Sequence, residues 1–442
     1  MQGSQGPPSA VLPNPKGPPV STPFFYGWII VACVAMAGFL SSGTTNVVAS
    51  VLLKPMAEET GWSRTMISSA LGVGAIAAGV LSPLAGLLVD RFGGRLLVPI
   101  GGVISGVLYI LTGQATIFSL FLVSFAANRA VAWAIMSGVA AQATVTRWFR
   151  ARRPRALGTV GMVTALGGSA MAVVAQFLLE HLGWRGVMTV YGGLTLLLVV
   201  GPSALLIRSR PEDVGLTPDG FLPEQAAMVG TGRDKRRERK GEEYSWSLSQ
   251  AIHTPAMWLI TASGSVALFG VTGVSVHQVA YLTDQGIPAG VAASVLVVYT
   301  FSSAISSFVW GLLTERFDER SMSVGALATA AIAIWFLTTV NTVPEAFIFA
   351  AVFGMCARGQ NTLVSIVFAQ YFGRGSFGAI SGLSTLFQTF AAAVGPIVAA
   401  VAFDVTGTYL GVFYALIGVF ALASFLMFLA RRPVPPISRI SA

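Results

Sequence analysis

Two arginines, Arg129 and Arg358, lie deep inside long apolar stretches of the 442-residue sequence. A charge at the centre of a membrane costs about 2.5–3.5 kcal/mol on insertion scales, so such a residue indicates a functional site. All 18 acidic residues lie in loops or near the ends of apolar stretches, which leaves neither arginine a deep carboxylate partner. A guanidinium can hold a carboxylate through two parallel hydrogen bonds. The sequence therefore predicts an anionic cargo as the counter-ion, with backbone carbonyls, serines and cavity water as the alternative partners.

The two arginines differ in depth. At about 1.5 Å per residue, Arg358 lies roughly 20 Å from the inner end of its stretch and Arg129 roughly 28 Å from that of its own. Arg358 is thus the better candidate for the middle of the membrane, and Asn361 follows it on the same helical face. Arg129 either lines an outer vestibule or packs structurally, and the sequence leaves both readings open.

Further cargo-binding candidates are polar side chains on the faces of other apolar stretches: Asn46, His277, Tyr299 and Gln142. Taken singly, such residues more often hold helices together than bind a cargo. His277 is the only histidine well inside a stretch, so proton symport would need either this side chain or the acid group of the cargo. Exchange or facilitated diffusion of an anion needs neither.

The elements that position these residues are membrane-spanning helices. Hydrophobic residues make up 54% of the chain and charged residues only 10%, whereas soluble domains carry about 25% charged residues. Twelve apolar runs are long enough to cross a hydrocarbon core of roughly 30 Å as helices. They predict an all-α membrane protein, with spans near 25–53, 65–90, 96–114, 117–146, 156–180, 185–208, 255–283, 288–315, 321–342, 344–371, 376–403 and 408–430.

The sequence contains an internal repeat. LLVDRFGGR at 87–95 returns as LLTERFDER at 312–320, an offset of 225 residues. Six spans are therefore duplicated, and we expect two pseudo-symmetric six-helix bundles. The predicted organisation is a disordered cytoplasmic tail at 1–22, bundles at 23–208 and 255–431, a cytoplasmic linker at 209–254 and a second tail at 432–442.

The formal charge of +9 is unevenly distributed. Outside the spans, only Lys54, Arg64 and Arg185 fall on the side opposite the termini, so the positive-inside rule predicts cytoplasmic termini in a plasma (inner) membrane protein. The basic run RDKRRERK at 233–240 fits anionic lipid head groups better than nucleic acid. We expect a multi-pass monomer with membrane lipids, a small anion and, in a symport mechanism, protons as its partners.

The repeated motif resembles the loop between spans 2 and 3 of the major facilitator superfamily, and its second copy lies where that family repeats it. The resemblance covers nearly the whole chain and implies the major facilitator fold. It also implies a latch between the two halves that breaks when they rock, formed from the charged residues of both copies: Asp90, Arg91, Arg95, Glu315 and Arg316. A static topology anchor is the alternative reading.

Three phrases narrow the resemblance to bacterial carriers of the monocarboxylate and oxalate/formate exchange type. They are KPMAEETGWSR at 54–64, YFGRGSFGAISG at 371–382 and RPEDVGL at 210–216. Ser303 and Ser307 stand where monocarboxylate transporters typically place an acid and an arginine, which puts lactate and oxalate as cargo in doubt.

We therefore expect secondary active or facilitative transport of a small organic anion, such as a monocarboxylate, by alternating access. The alternatives are an exporter of apolar or drug-like compounds and a non-transporting membrane sensor. No phosphate-binding GxxxxGK[ST], nucleophile elbow or metal-spaced His/Cys cluster is present in the sequence. We accordingly expect no enzyme activity, no cofactor and no metal.

Overall fold

A computed structural model describes residues 24–220, 244–406 and 408–435. Within these ranges the chain forms helices and turns and contains no strand. Eleven of its helices are long and apolar enough to cross a membrane, and one of them contains two crossings. We name the resulting twelve crossings α1 to α12, which confirms the predicted fold.

The first six crossings have the following bounds: α1 Gly27–Ser41 continued by Asn46–Thr60, α2 Arg64–Phe92, α3 Gly94–Gly113, α4 Phe118–Trp148, and α5 and α6 within Arg153–Leu206. The last six are α7 Pro255–Asp284, α8 Ala289–Leu313, α9 Glu319–Leu337, α10 Val343–Phe372, α11 Phe377–Thr406 and α12 Tyr409–Leu429.

The turn between α5 and α6 depends on Gly183, which interrupts the long helix with φ 65° and ψ 175°. Side chains rarely adopt this backbone conformation, so glycine is the residue suited to it. The chain folds back here, since the hydroxyl of Tyr191 in α6 donates to the carbonyl of Met171 in α5. The predicted spans at 156–180 and 185–208 are therefore separate crossings, as expected.

The prediction of one continuous first span was wrong in detail. α1 breaks at a 3-10 turn, Ser42–Thr44, and Thr45 is extended with ψ 164° before the helix resumes at Asn46. The hydroxyls of Ser42 and Thr45 donate to Gly38 O and Ser42 O, at 3.1 and 2.7 Å. Side-chain bonds of this kind compete with helical ones and allow a break inside the membrane.

Several other helix ends follow from local side-chain chemistry. Ser63 accepts a hydrogen bond from Met66 N at the start of α2, and Asp318 accepts one from Ser321 N at the start of α9. Such caps satisfy amides that have no partner within the helix. They place the ends of α2 and α9 near the predicted span boundaries.

The two halves, α1–α6 and α7–α12, each have a large hydrophobic core. We call the end of the bundle where α2 ends the Asp90 end, and the opposite end the Lys54 end. Near the Asp90 end the halves meet through glycines: a Cβ on Gly86 of α2 would lie 2.0 Å from the carbonyl oxygen of Gly378 in α11. A Cβ on Gly158 of α5 would lie 2.4 Å from the carbonyl oxygen of Ser307 in α8. Only residues without side chains permit this approach.

The predicted linker is partly ordered. It forms short 3-10 turns at Pro211–Val214 and Pro218–Gly220. The amphipathic surface helix expected before Pro255 is a single turn, Leu248–Ala251. The basic run at 233–240, the predicted tail at 1–22 and residues 436–442 lie outside the described residues.

Candidate functional site

Arg358 lies on the only polar stripe of an otherwise buried part of α10. A π-helical segment, Gly354–Arg358, brings it there, and Arg358 and Asn361 are exposed while Ser365 is half-buried. The intervening residues of this helix, including Gln360, Thr362 and Val364, are buried. The three polar positions are spaced by three and four residues, so they share one face.

This face of α10 points away from the outer helix of its own half. Gln360 exchanges hydrogen bonds of 2.9 and 2.7 Å with Ser323 of α9, whose outer surface exposes Ile332 and Trp335. Arg358 precedes Gln360 by two positions and therefore lies on roughly the opposite side of the helix. It consequently faces the cleft between the halves rather than the lipid.

The immediate surroundings of Arg358 combine apolar walls with amide groups. Leu268 and Val271 of α7 and Gln388 of α11 line a small cavity beside it, together with Asn361. Within the described residues, no acidic side chain pairs with Arg358 and no hydrogen bond to its guanidinium is found. The guanidinium is thus available to an anion that enters the cleft.

The floor of the cleft lies one helical turn closer to the Asp90 end. The hydroxyl of Thr362 in α10 donates to Ser307 Oγ in α8 at 3.0 Å. A Cβ on Gly161 of α5 would lie 3.0 Å from Ser307. Helices from both halves therefore close the path between Arg358 and the Asp90 end.

Arg129 has a resident partner. Its Nη1 donates to the carbonyl oxygen of Thr44 at the break in α1, and its side chain packs against Gly74 of α2. The break leaves carbonyl groups without helical partners, and a cation stabilises that end of a helix. Of the two readings left open for Arg129, the contact to α1 favours packing. Gln142, lower on α4, is half-buried.

His277 and Tyr299 are not brought to the cleft beside Arg358. The ring nitrogens of His277 lie 3.4 Å from the hydroxyl of Tyr409 and 3.2 Å from the carbonyl oxygen of Pro396. Tyr299 is buried, with its hydroxyl 2.8 Å from Ser275 Oγ and its ring stacked on Phe353. Both side chains take part in helix packing within the second half. Asn46 begins the second segment of α1, and its side chain lies outside the described residues.

Asp90 joins three helices at its end of the bundle. Its carboxylate accepts hydrogen bonds from the amides of Gly378 and Ala379, at 3.2 and 2.7 Å, in the first turn of α11. It also forms a 3.2 Å ion pair with Arg147 of α4, and both side chains are largely buried. A carboxylate is unfavourable at the C-terminal end of its own helix and favourable at the N-terminus of another. The geometry explains why Asp90 reaches across to α11.

The second copy of the motif uses a different partner. Glu315 forms a 2.7 Å ion pair with Arg155 at the start of α5, again between the halves. Arg91, Arg95 and Arg316 are exposed, and in the described part of the chain they form no ion pair. Arg91 lies over the ring of Phe92 instead. Two carboxylates of the predicted latch thus join the halves, whereas its three arginines do not.

The linker adds contacts to both halves. Asp219 accepts hydrogen bonds of 2.7–3.1 Å from the amides of Arg150, Ala151 and Arg152 in the first half. Glu212 pairs at 2.9 Å with Arg374, which precedes α11 in the second half. Arg374 also donates to the carbonyl oxygen of Arg147. The 211–220 segment therefore contacts both bundles at the Asp90 end.

Sequence reasoning missed four residues of these sites. Arg374 and Glu212 lie in loops, where charge alone does not identify a partner. Asp219 has one signal, its position before glycine in a PDG turn, and the structure gives it φ 63°. Trp133 of α4 is 46% exposed, and its position four residues after Arg129 was the available signal. Among the residues that the structure describes, no cluster of three or more metal-ligating side chains occurs.

Comparison with known proteins gives consistent matches. A family model described as the Major Facilitator Superfamily matches residues 34–288 and 259–442. Monocarboxylate transporter 2 of Mus musculus is 24% identical over 422 residues, covering 91% of this chain and 82% of that protein. Monocarboxylate transporter 11 of Mus musculus is 25% identical over 419 residues, covering 90% and 85%.

Solved structures share the fold. The human organic anion transporter TETRAN superposes with a TM-score of 0.67 at 16% identity, covering 92% of this chain and all of that one. FucP in the outward conformation gives a TM-score of 0.67 at 13% identity, with 92% and 100% coverage. At these identities the likeness extends to the arrangement of helices.

Proposed function

Because the chain belongs to the Major Facilitator Superfamily, we propose that it carries a small organic anion with one carboxylate across the membrane by alternating access. The chain is a multi-pass membrane transporter and not an enzyme. Its similarity to monocarboxylate transporters over most of its length supports the class of cargo. The finer assignment depends on the site in α10.

The observation that carries the proposal is the exposed guanidinium of Arg358 in the cleft. An intramembrane charge is costly, and the described residues offer this one no acidic partner. A carboxylate would neutralise it through two hydrogen bonds, and Asn361, one turn away, can donate a third from its amide. Gln388 and the apolar side chains of α7 complete the wall.

The state of the molecule supports access from the Lys54 end. The inter-half contacts of Asp90, Glu315 and Arg374 lie at the Asp90 end, with Thr362 and Ser307 between them and Arg358. The side chains of Arg358 and Asn361 are nevertheless exposed. We infer an outward-facing state in which Asp90 and Glu315 are the latch carboxylates and Arg147, Arg155 and Arg374 their cationic counterparts.

We further propose a plasma membrane protein with both termini in the cytoplasm and the Asp90 end inside. Basic residues concentrate at that end, and short basic loops are retained on the cytoplasmic side. We expect the basic loop to contact anionic lipid and the chain to act as a monomer.

The test is counterflow of radiolabelled pyruvate and longer 2-oxo acids into proteoliposomes, with protein-free liposomes as the blank. Arg358→Ala should lower trans-stimulated uptake about a hundredfold, because two hydrogen bonds to a charged group are lost. Arg358→Lys should retain part of it, since the charge remains without the paired geometry.

Arg431→Ala removes the same charge from an exposed site after α12 and serves as the control. Its uptake should equal that of the unmodified protein. Uptake that survives in Arg358→Ala would reject the anion site and favour an exporter of apolar compounds. Repeating the assay with an imposed pH gradient separates proton-driven uptake from exchange.

A further inference from the structure

Trp133 is a large aromatic side chain without a protein partner in the middle of α4. It is 46% exposed and lies in the π-helical segment Ala132–Ser137. Within the described residues its indole makes no hydrogen bond and no ring contact. Exposed tryptophans on outer helices contact lipid, so the direction of this side chain decides its role.

The neighbours of Trp133 place it on the cleft side of α4. Ile135 packs against α3, since its Cγ2 lies 2.6 Å from where a Cβ on Gly101 would be. α3 is an outer helix whose surface exposes Leu96, Ile100 and Val103. Trp133 precedes Ile135 by two positions and therefore lies on roughly the opposite side of α4. This is the relation that Arg358 bears to Gln360 on α10.

Trp133 and Arg358 also share a depth. Trp133 precedes Trp148 by 15 residues, and Arg358 precedes Tyr371, the matching aromatic residue at the end of α10, by 13. At about 1.5 Å per residue both lie roughly 20 Å from the Asp90 end. They are separated by 225 residues, the offset of the duplicated loop motif. The repeat thus places an indole in one half where it places a guanidinium in the other.

We propose that Trp133 is a specificity-determining residue and that the cargo is a monocarboxylate with an aromatic or similarly broad apolar group. This inference rests on the proposed function. Arg358 holds the carboxylate, and the indole covers the apolar part of the cargo. Leu268 and Val271 continue the apolar surface around the guanidinium.

The physical basis is the mismatch between a wide ring and a small acid. An indole face gains from burial under another ring through offset or edge-to-face contact. A two- or three-carbon acid satisfies Arg358 but leaves most of the indole in water. An aromatic acid satisfies both groups, so affinity should rise with the apolar area of the cargo.

The experiment measures equilibrium binding to purified protein in nanodiscs with a matched pair of probes, pyruvate and phenylpyruvate. The two probes share a 2-oxo-carboxylate and differ by a phenyl group. Phenylpyruvate should bind about tenfold or more tightly. Trp133→Ala should remove about tenfold of phenylpyruvate affinity and leave pyruvate affinity within about twofold, whereas Trp133→Phe should keep most of the preference.

Trp335→Ala is the matched control, because Trp335 is 55% exposed on the outer helix α9. It should change neither affinity. Equal binding of the two probes to the unmodified protein would overturn the inference, and so would an equal loss of both in Trp133→Ala. Retention of the phenylpyruvate preference in the monodisperse Trp133→Ala protein would overturn it as well.

Failure of this inference and failure of the proposed function give different results. If Arg358→Ala abolishes binding of both probes while Trp133→Ala is neutral, the anion site stands and the aromatic cargo is rejected. If Arg358→Ala binds both probes normally, or if the unmodified protein binds neither, the proposed anion site itself is rejected.

Discussion

At the scale of the residue, Asp90 is the best-connected carboxylate of the molecule. It binds two amides of α11 and the guanidinium of Arg147, and little of its side chain is exposed. Removing one member of a buried pair leaves the other charged and poorly solvated, which typically costs about 3–5 kcal/mol. The closed state of the Asp90 end should therefore be sensitive to this single charge.

We predict that Asp90→Asn opens the Asp90 end. A loss on the order of 3 kcal/mol would change the ratio of closed to open molecules roughly a hundredfold. The measurement is the reaction rate of Ser82→Cys with an impermeant thiol reagent applied from that end, with Cys33 and Cys356 replaced by alanine. Ser82 is fully buried in the closed state.

Asp404→Asn makes the same change at the opposite end of α11, where the side chain is exposed, and should leave the labelling rate unaltered. An unaltered rate in Asp90→Asn as well would mean that Asp90 is a static topology anchor.

The sequence revealed some residues of these sites and not others, for a physical reason. Arg358 was recognisable because a charge in an apolar stretch requires an explanation in any fold. The partners of Asp90 and Glu315 were not, because the pairing of loop arginines depends on how two bundles separated by hundreds of residues meet. His277 and Tyr299 share helical faces with other polar residues, but those faces pack against neighbouring helices instead of lining the cleft.

At the scale of the element, the contact between α2 and α11 depends on backbone meeting backbone. A Cβ on Gly86 would overlap the carbonyl oxygen of Gly378, and one on Gly378 would lie 2.6 Å from the carbonyl oxygen of Gly86. Neither atom belongs to a flexible side chain that can turn aside. The helices must separate to accept a methyl group there.

We predict that Gly86→Ala shifts the protein toward the state open at the Asp90 end. Overpacking of this kind costs about 1–3 kcal/mol, which is roughly a 5- to 150-fold change in the ratio of states. The Ser82→Cys labelling rate measures the change. Gly72→Ala on the same helix has open space around the added Cβ and should behave like the unmodified protein.

The helix ends and the number of crossings followed from hydrophobic length and caps, whereas the break in α1 and the π segments of α4 and α10 did not. Such irregularities arise where neighbouring helices or polar side chains satisfy the freed backbone groups. In α1 the hydroxyls near residue 42 and the guanidinium of Arg129 do so. These tertiary contacts are not visible in the hydrophobic period of a single stretch.

At the scale of the whole molecule, twelve crossings return both described ends of the chain to the Asp90 end. The duplication predicted from two nine-residue phrases corresponds to two bundles that meet along α2 with α11 and α5 with α8. Which side of the membrane this end occupies is a prediction from charge.

We predict that a fluorescent protein fused at the C-terminus will be fluorescent, because it folds in the cytoplasm. Alkaline phosphatase fused after Gly286, between α7 and α8, should be active, because it needs the outer face. The reciprocal pair of fusions is the control, and activity in the reciprocal pair instead would place the Asp90 end outside.

The ordered part of the linker sets a geometric limit on the opening of the molecule. Asp219 is fastened to the loop between α4 and α5, and Glu212 to Arg374 before α11. Seven residues of fully extended chain span at most about 25 Å. As long as both fastenings hold, the inner mouth cannot widen beyond that span, so this short tether would act as a mechanical stop on the stroke of the carrier.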